Sequence, residues 1–285
     1  METEKPKVSV IIPCFNQGQY IDEAVESVLS QTLQDFEIII VNDGSTDKFT
    51  INKLKSYNKP KCKVIHTNNQ GLSSARNNGI IAASGEYILP LDADDKISLK
   101  YLEEAVNILD RESEIGIVYC EVEFFGDKTG RWNLPDFSVE RILVMNMIIC
   151  SALFRKSDYM KTKGYNPNML YGWEDWDFWL SLIEKGIKVY KLSDVHFFYR
   201  IKNENSMKIN LDMSEEKQKY CYKTIYLNHY DFYINKIGNP IELYSKLNKV
   251  LSSKDYKFGR TIVNPIRNLI KCLKKLFSYS QFFVI

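Results

Sequence analysis

The chain has 285 residues, of which 45% are hydrophobic and 26% charged, and its formal net charge is +2. This composition excludes a disordered chain, and the length leaves room for a catalytic domain with a smaller appendage, which we favour over one large domain. So small a net charge gives no general attraction for nucleic acid, and we expect no nucleic-acid partner. The six cysteines form no CxxC pair and therefore indicate neither a zinc site nor a disulfide framework.

The N-terminal part of the chain alternates strands and helices. Runs rich in valine and isoleucine at residues 8–13 and 36–41 predict strands buried on both faces of a parallel sheet, and apolar residues recur at helical spacing over 21–29. The pattern then repeats as strand, helix, strand and helix at 63–66, 72–83, 86–91 and 99–109, the last with Ser98 as its N-cap. Such alternation favours an α/β fold with a Rossmann-like, doubly wound, mostly parallel mixed sheet that binds ligands at the carboxyl ends of its strands.

After Gly116 the pattern changes to that of a less regular, mixed sheet. We expect a strand at 117–125, a turn-rich stretch at 126–135, a helix at 174–185 and strands at 187–190 and 196–200. From residue 210 onward the chain is typical of helices, which predicts a C-terminal helical extension after a boundary at 207/208.

Three loops follow the predicted strands with polar residues. The first carries Pro13, Phe15 and Asn16, and the second carries Asp43, whose carboxylate could accept hydrogen bonds from a nucleobase, although NDGS is also ordinary turn chemistry. The third opens a helix with Arg76 near its start, where backbone amides and a guanidinium could face a phosphate. Alone, each loop is weak evidence for a ligand site.

A fourth loop concentrates three carboxylates, Asp92, Asp94 and Asp95, after a buried strand; we call residues 92–95 the DADD cluster. So much like charge is costly unless a cation neutralises it. Carboxylate oxygens suit magnesium or manganese, which bind through one or two carboxylates together with substrate phosphates. A divalent cation, Mn²⁺ or Mg²⁺, is therefore the predicted cofactor.

In order, the four loops read VSVIIPCFN, VNDGSTD, NNQGLSSARNNG and LPLDADD. They resemble the motifs of the inverting family 2 glycosyltransferases with the GT-A fold, of the bacterial surface-polysaccharide type, over about residues 7–207. The resemblance implies a nucleotide site in which Asp43 contacts the base, Asp92 the ribose and Asp94 the metal. The implied nucleotide-binding residues are Pro13, Phe15, Asn16, Asp43, Arg76 and Asp92, with Asp95 a structural neighbour.

A second cluster of acids and tryptophans begins the helix predicted at 174–185. Its GWED segment resembles the family motif whose aspartate takes the proton of the acceptor hydroxyl, which implies that Asp175 is the general base and that Trp173 and Glu174 lie near the donor sugar and acceptor. Acids also stabilise helix N-termini, and we interpret Trp176 and Trp179 as core residues. Trp173 either stacks on the acceptor ring or packs in the protein.

The segment YRIK at 199–202 resembles the family element YRxH, in which the histidine often binds the metal. A protonated ammonium cannot bind a cation, so Lys202 is expected to contact the donor diphosphate or to face solvent. His196 is interpreted as a packed side chain rather than a ligand. Asp94 is then the one predicted protein ligand, and metal binding should be weak until the diphosphate arrives.

The C-terminal tail, 260–277, predicts a basic amphipathic helix. Such a helix either lies on an anionic membrane surface or packs on the catalytic domain with its basic face in solvent. The sequence shows no secretory signal and no run long enough to span a bilayer, so we expect a cytoplasmic protein, peripheral on the inner face of the plasma membrane if the tail binds lipid.

Together these features predict an inverting, metal-dependent enzyme that moves a sugar from a nucleotide-diphosphate donor, a UDP-sugar, to a hydroxyl of a glycan or lipid-linked saccharide. Its predicted GT-A domain, 1–207, has a nucleotide-sugar half at about 7–110 and an acceptor half at about 111–207, followed by the extension 208–285. One rival is a sugar nucleotidylyltransferase, whose glycine- and lysine-rich signature is missing here. The other is a catalytically silent module that binds a nucleotide sugar or docks on a membrane. The sequence predicts no oligomeric state.

Overall fold

A computed structural model describes residues 5–202, 214–261 and 263. Its strands are β1 (Val8–Cys14), β2 (Phe36–Asp43), β3 (Cys62–Thr67), β4 (Tyr87–Pro90), β5 (Lys96–Ile97), β6 (Ile115–Gly126), β7 (Gly130–Trp132), β8 (Leu153–Arg155) and β9 (Lys188–Ile201). Its helices are α1 (Ile21–Leu29), α2 (Lys48–Lys55), α3 (Leu72–Ala82), α4 (Tyr101–Arg111), α5 (Val139–Ile142), α6 (Lys156–Tyr159), α7 (Glu174–Ile183), α8 (Glu215–Asn228), α9 (Tyr230–Ile237) and α10 (Pro240–Ser252).

The strands of the described residues form one mixed sheet in the order β3-β2-β1-β4-β8-β6-β9-β5, with β7 paired to β6. The first four strands in this order run parallel, and β1 is buried along its whole length. Beyond β4 the pairings with β8 and between β8 and β6 are antiparallel, whereas β6 and β9 are parallel. The structure therefore confirms the doubly wound mixed sheet.

Close packing of α3 against the sheet positions the start of that helix at the carboxyl edge of the parallel strands. A Cβ atom on Gly79 would lie 2.3 Å from Cγ2 of Ile11 in β1, so only glycine allows this approach. Helix α1 packs through the predicted apolar side chains Ile21, Ala24, Val25 and Val28, all of which are buried. The loops at the carboxyl edge of the sheet therefore extend from closely packed elements.

The helix after the DADD cluster starts later than predicted. Its N-cap is Lys100, not Ser98, and Leu99, expected on the buried face, is 55% exposed. The reason is the short strand β5, which pairs antiparallel with β9 and holds the backbone N–H of Ser98 2.9 Å from the carbonyl oxygen of His196. Because residues 96–98 bond to β9, helix α4 begins only at Tyr101.

Strand β9 corrects a second expectation. The two strands predicted at 187–190 and 196–200 form one strand, which pairs with β6 through several register shifts. Helix α2, which the sequence did not indicate, connects β2 to β3 and is capped by Asp47, whose carboxylate accepts from the backbone N–H of Thr50.

The described C-terminal residues are largely helical, as expected. Two compact units are seen, one ending at Tyr230 and the other beginning at Asp231. In the first, α8 is held on α7 because Nδ2 of Asn228 donates to both carboxylate oxygens of the buried Asp177, at 3.1 and 2.9 Å. The predicted boundary at 207/208 and most of the tail 260–277 lie outside the described residues, so both stay predictions. Among the described helices, none has the length and apolar character needed to span a bilayer.

Candidate active site

A cavity of about 570 Å³ opens between the start of α3, the DADD cluster and the residues before α7. Among the predicted site residues it is lined by Arg76, Asp92, Trp173, Glu174 and Asp175. The structure thus brings two distant predicted motifs to one cavity. The other predicted site residues, Pro13, Phe15, Asn16, Asp43, Asp94 and Lys202, are not part of this lining.

Asn16 ties the first loop to the second. It adopts a left-handed backbone with φ of 55°, and its side-chain oxygen accepts from the backbone N–H groups of Thr46 and Asp47 at 2.7 and 3.0 Å. Beside it, Pro13 is buried, whereas Phe15 is 43% exposed and offers an aromatic face at the surface. These contacts place Phe15 where a flat ligand could stack, whereas Asn16 mainly shapes the loop.

Asp43 ties the second loop to the third. It is buried, and its two carboxylate oxygens accept from the backbone N–H groups of Gln70 and Gly71 at 3.0 and 2.9 Å. The turn after it uses Gly44 at φ 66°, where a Cβ atom would lie 2.5 Å from the backbone nitrogen of Asn69. Asp43 therefore holds the third loop against the end of β2, and its predicted contact with the base stays a prediction.

Arg76 is buried, contrary to the solvent-facing arginine that a helix surface usually carries. Its Nη2 donates to Oδ1 of Asp92 at 2.7 Å, its Nη1 donates to Oε1 of Glu174 at 2.5 Å, and its guanidinium lies 5.4 Å from the ring centroid of Tyr165. The arginine therefore joins the DADD cluster to the GWED segment. Its Nε atom has no hydrogen-bond partner within the described part of the chain.

The three acids of the DADD cluster have different surroundings. Asp92 lines the cavity, Asp94 forms an ion pair through Oδ2 with Nζ of Lys202, and Oδ1 of Asp95 accepts from the backbone N–H of Arg200 at 2.8 Å. Burial and the neighbouring carboxylates raise the pKa values of Asp94 and Asp95. Asp95 is thus tied to β9, as expected of a structural neighbour.

The cluster offers atoms that could hold a metal ion. Ligand atoms of Asp92, Asp95 and Cys150 lie within 4.8 Å of one another. However, the predicted ligand Asp94 is not in this group, and its carboxylate forms an ion pair with the ammonium of Lys202. Asp92 is likewise engaged by the guanidinium of Arg76. The arrangement therefore does not fit a divalent ion on Asp94, and we derive no catalytic step from one.

Asp175 lies in the first turn of α7, after a tight turn formed by Gly172 at φ 106° and Trp173 at φ 63°. Its Oδ1 accepts from the backbone N–H of Trp176 at 2.8 Å, and its Oδ2 accepts from Nδ2 of Asn146 at 3.0 Å. Burial, followed by the charge of Glu174, raises the pKa of Asp175 to about 7. A carboxylate with this pKa can gain and lose a proton near neutral pH, as a general base must.

Aromatic side chains pack on Trp173, which lines the cavity together with Asp175. The ring centroid of Trp173 lies 4.9 Å from that of Tyr222 in α8 and 5.5 Å from that of Trp176. Trp176 and Trp179 are buried, which confirms them as core residues. The sequence does not indicate Asn146, which lines the cavity but stands in an apolar run with no motif, nor the packing of Tyr222 from α8 on Trp173.

His196 is a packed side chain, as expected. It is buried, its ring stacks on Tyr101 with centroids 5.5 Å apart, and its Nε2 lies 3.1 Å from Oε2 of Glu104.

Comparison with known proteins agrees with this architecture. The chain is 33% identical over 210 residues to the minor teichoic acid biosynthesis protein GgaB of Bacillus subtilis, a match that covers 70% of this chain but 23% of GgaB. It is 29% identical to an uncharacterized glycosyltransferase of Haemophilus influenzae, over 97% of this chain and 94% of that protein. The crystal structure of S. aureus TarS 1–349 superposes with a TM-score of 0.58 and 21% identity, covering 85% of this chain and 78% of that one. That protein has also been solved with UDP and with UDP-GlcNAc.

The likeness to TarS shows the fold, whereas membership rests on the sequence. The model of the family described as glycosyl transferase family 2 matches residues 9–172, more than half of the chain, and this span includes the four loops and Gly172. The chain therefore belongs to glycosyl transferase family 2 and has the GT-A fold.

Proposed function

We propose that the enzyme transfers a sugar from a UDP-sugar to a hydroxyl of a growing saccharide or lipid-linked saccharide, with inversion at the anomeric carbon. The observation that carries this proposal is the position of Asp175, whose raised pKa of about 7 occurs in a carboxylate that lines the cavity shared with Asp92 and Arg76. A sugar hydroxyl needs such a base, because it is a poor nucleophile at neutral pH.

In the proposed step the carboxylate of Asp175 takes the proton of the acceptor hydroxyl. The hydroxyl oxygen forms a bond to the anomeric carbon while the bond from that carbon to the phosphate oxygen breaks, and the electron pair leaves with the nucleoside diphosphate. Asn146 donates to Oδ2 of Asp175 and thereby orients the carboxylate. One base and one displacement imply inversion.

We assign the donor to the loops at the carboxyl ends of the parallel strands. The exposed ring of Phe15 would stack on the base, and Asp92 would meet the ribose with Oδ2, which accepts from the thiol of Cys150 at 3.8 Å, since Oδ1 is held by Arg76. Arg76 is then a positioning residue that fixes Asp92 and Glu174, rather than an arginine that reaches the diphosphate through both of its terminal nitrogens. TarS, which shares the fold, binds UDP and UDP-GlcNAc, and this supports a uridine nucleotide.

The acceptor is assigned to the part of the cavity lined by Trp173. This ring, on which Tyr222 packs, would stack against an acceptor sugar next to Asp175. The relation to GgaB, a teichoic acid biosynthesis protein, supports an acceptor in a cell-surface polymer. If the tail 260–277 binds an anionic membrane, a lipid-linked acceptor would be within reach.

A donor panel tests the proposal. The full chain is incubated with UDP-sugars and saccharide acceptors, and release of UDP and the anomeric configuration of the product are measured. We expect Asp175→Asn to lose transfer by about 10²–10⁴-fold, which is the usual effect of a general base. Asp35→Asn, which changes an exposed aspartate before β2, serves as the matched control. Retention of the full rate by Asp175→Asn would reject the base assignment, and a lack of UDP binding would favour the silent module that docks on a membrane.

A further inference from the structure

The end of β9 closes over the DADD cluster through several independent contacts. Strand β5, which follows the cluster directly, pairs with β9 through Lys96 and Ile97. The backbone N–H of Arg200 donates to Oδ1 of Asp95 at 2.8 Å, and its Nε donates to the backbone carbonyl of Asp94 at 2.7 Å. The backbone of residues 200–202 is therefore held at a set position beside the acidic loop.

Two residues further along, Lys202 brings its ammonium onto Asp94. The two side chains form an ion pair and are only 17% and 15% exposed, respectively. The same ammonium lies 4.6 Å from the ring centroid of Tyr20, which belongs to the loop after β1. The positive charge thus stands where the first loop, the fourth loop and β9 meet.

Three acidic side chains of this region are paired with basic side chains of the chain itself, whereas Asp95 accepts from the backbone of Arg200. Asp92 is paired with Arg76, Asp94 with Lys202, and Glu23 with both Lys96 and Arg200. A divalent ion bound to Asp94 would have to displace a half-buried ammonium, or remain beside it at the cost of like-charge repulsion. An ammonium already supplies the positive charge and the hydrogen-bond donors that a diphosphate needs.

We propose that Lys202, held by Asp94, is the built-in cation of the donor site, so that the enzyme binds the donor diphosphate without a divalent metal ion. The inference rests on the proposed donor site and specifies its chemistry. In this site Asp94 positions the ammonium of Lys202 through an ion pair and is not a metal ligand. It replaces the metal-dependent mechanism expected from the sequence. Lys202 stands at the position of the histidine in the YRxH element that this segment resembles.

The test measures UDP binding by calorimetry with the full chain, in EDTA and in Mn²⁺. Four variants are compared with the wild type: Lys202→Met, Lys202→Arg, Lys202→His and the control Lys188→Met, which removes an exposed lysine at the other end of β9. Thermal melts confirm that each variant is folded. We expect the wild type and Lys188→Met to bind UDP equally well in EDTA, with an affinity that Mn²⁺ changes by less than about threefold.

Removal of the charge should weaken binding in EDTA by about tenfold or more in Lys202→Met, as expected for loss of a charge-assisted contact, whereas Lys202→Arg retains most of the affinity. Lys202→His should bind weakly in EDTA and recover with Mn²⁺, because an imidazole can share a metal ion with Asp94. Wild-type binding that requires Mn²⁺, or unchanged binding by Lys202→Met, would overturn the inference and leave the glycosyltransferase proposal intact. Absence of UDP binding in both media would instead reject the donor assignment.

Discussion

Replacement of Asp175 by asparagine should remove the base and at the same time stabilise the protein at alkaline pH. In the folded state burial raises the pKa of this carboxyl to about 7, from its ordinary value of 3.8. The unfolded chain therefore releases the proton first, and the free energy of unfolding of the wild type falls as pH rises between these two values. The asparagine cannot ionise, so the variant escapes this loss.

The magnitude follows from the size of the shift. Each pH unit between the two pKa values lowers the free energy of unfolding by about 1.4 kcal/mol. In the interval from about pH 5 to about pH 8, about two units lie below the folded pKa, so the wild type loses about 3 kcal/mol. Partial solvent access and coupling to Glu174 reduce this figure to about 1–2 kcal/mol. The variant also loses the hydrogen bond that Asn146 donates to Oδ2, but this loss of about 1 kcal/mol applies at both pH values and cancels in the comparison.

Urea unfolding of the wild type and Asp175→Asn at about pH 5 and about pH 8 measures this difference directly. We expect the variant to gain about 1–2 kcal/mol relative to the wild type between the two conditions, and the wild-type transfer rate to rise with pH up to about 7. Asp35→Asn should show no such pH-dependent gain. A difference between wild type and Asp175→Asn that is the same at both pH values would refute the raised pKa, and with it the tuned base.

Three further substitutions test the ion pairs of the site, the packing of α3 and the binding of the acceptor. Arg76→Lys should lower the free energy of unfolding by about 3 kcal/mol in urea, because one ammonium cannot reach both carboxylates, and unchanged stability would show that the bridge is unimportant. Gly79→Ala should cost about 1–3 kcal/mol in the same assay, since the new methyl group meets Ile11, and a neutral effect would mean that α3 can shift. Tyr222→Ala should raise KM for the acceptor by about fivefold to tenfold without changing hydrolysis of the donor, because it removes the ring that packs on Trp173; an equal effect on both reactions would contradict the assignment of Trp173 to the acceptor.

Strands β1 and β2 could be predicted within one or two residues, because their burial leaves continuous valine and isoleucine runs, whereas the two-residue strand β5 carries no such signal. Strand β9 appeared as two strands for a physical reason: Ser193 and Asp194 interrupt it on an exposed edge and resemble a turn. Helix α2 is short and polar and buries only Thr50 and Leu54 along its length, so its periodicity is weak. Local patterns indicate an element well only when its environment is uniformly apolar.

For the site as well, the sequence indicates which residues take part but not which of them contact each other. The motifs indicated that the DADD cluster and Asp175 would belong to one site, and the cavity contains both Asp92 and Asp175. The partners could not be predicted, because the contact of Arg76 with Glu174 spans 98 positions and depends on the packing of two halves of the sheet. Asn146 had no motif, and its relation to Asp175 likewise exists only in the folded chain.

The double ion pair of Arg76 has a consequence for recombining this enzyme with its relatives. One guanidinium connects carboxylates from two segments that recombination would naturally separate, Asp92 in the donor half and Glu174 in the acceptor half. A chimaera that takes these segments from parents with different residues at the three positions would leave a charge buried without its partner. The three positions should therefore be inherited as one block.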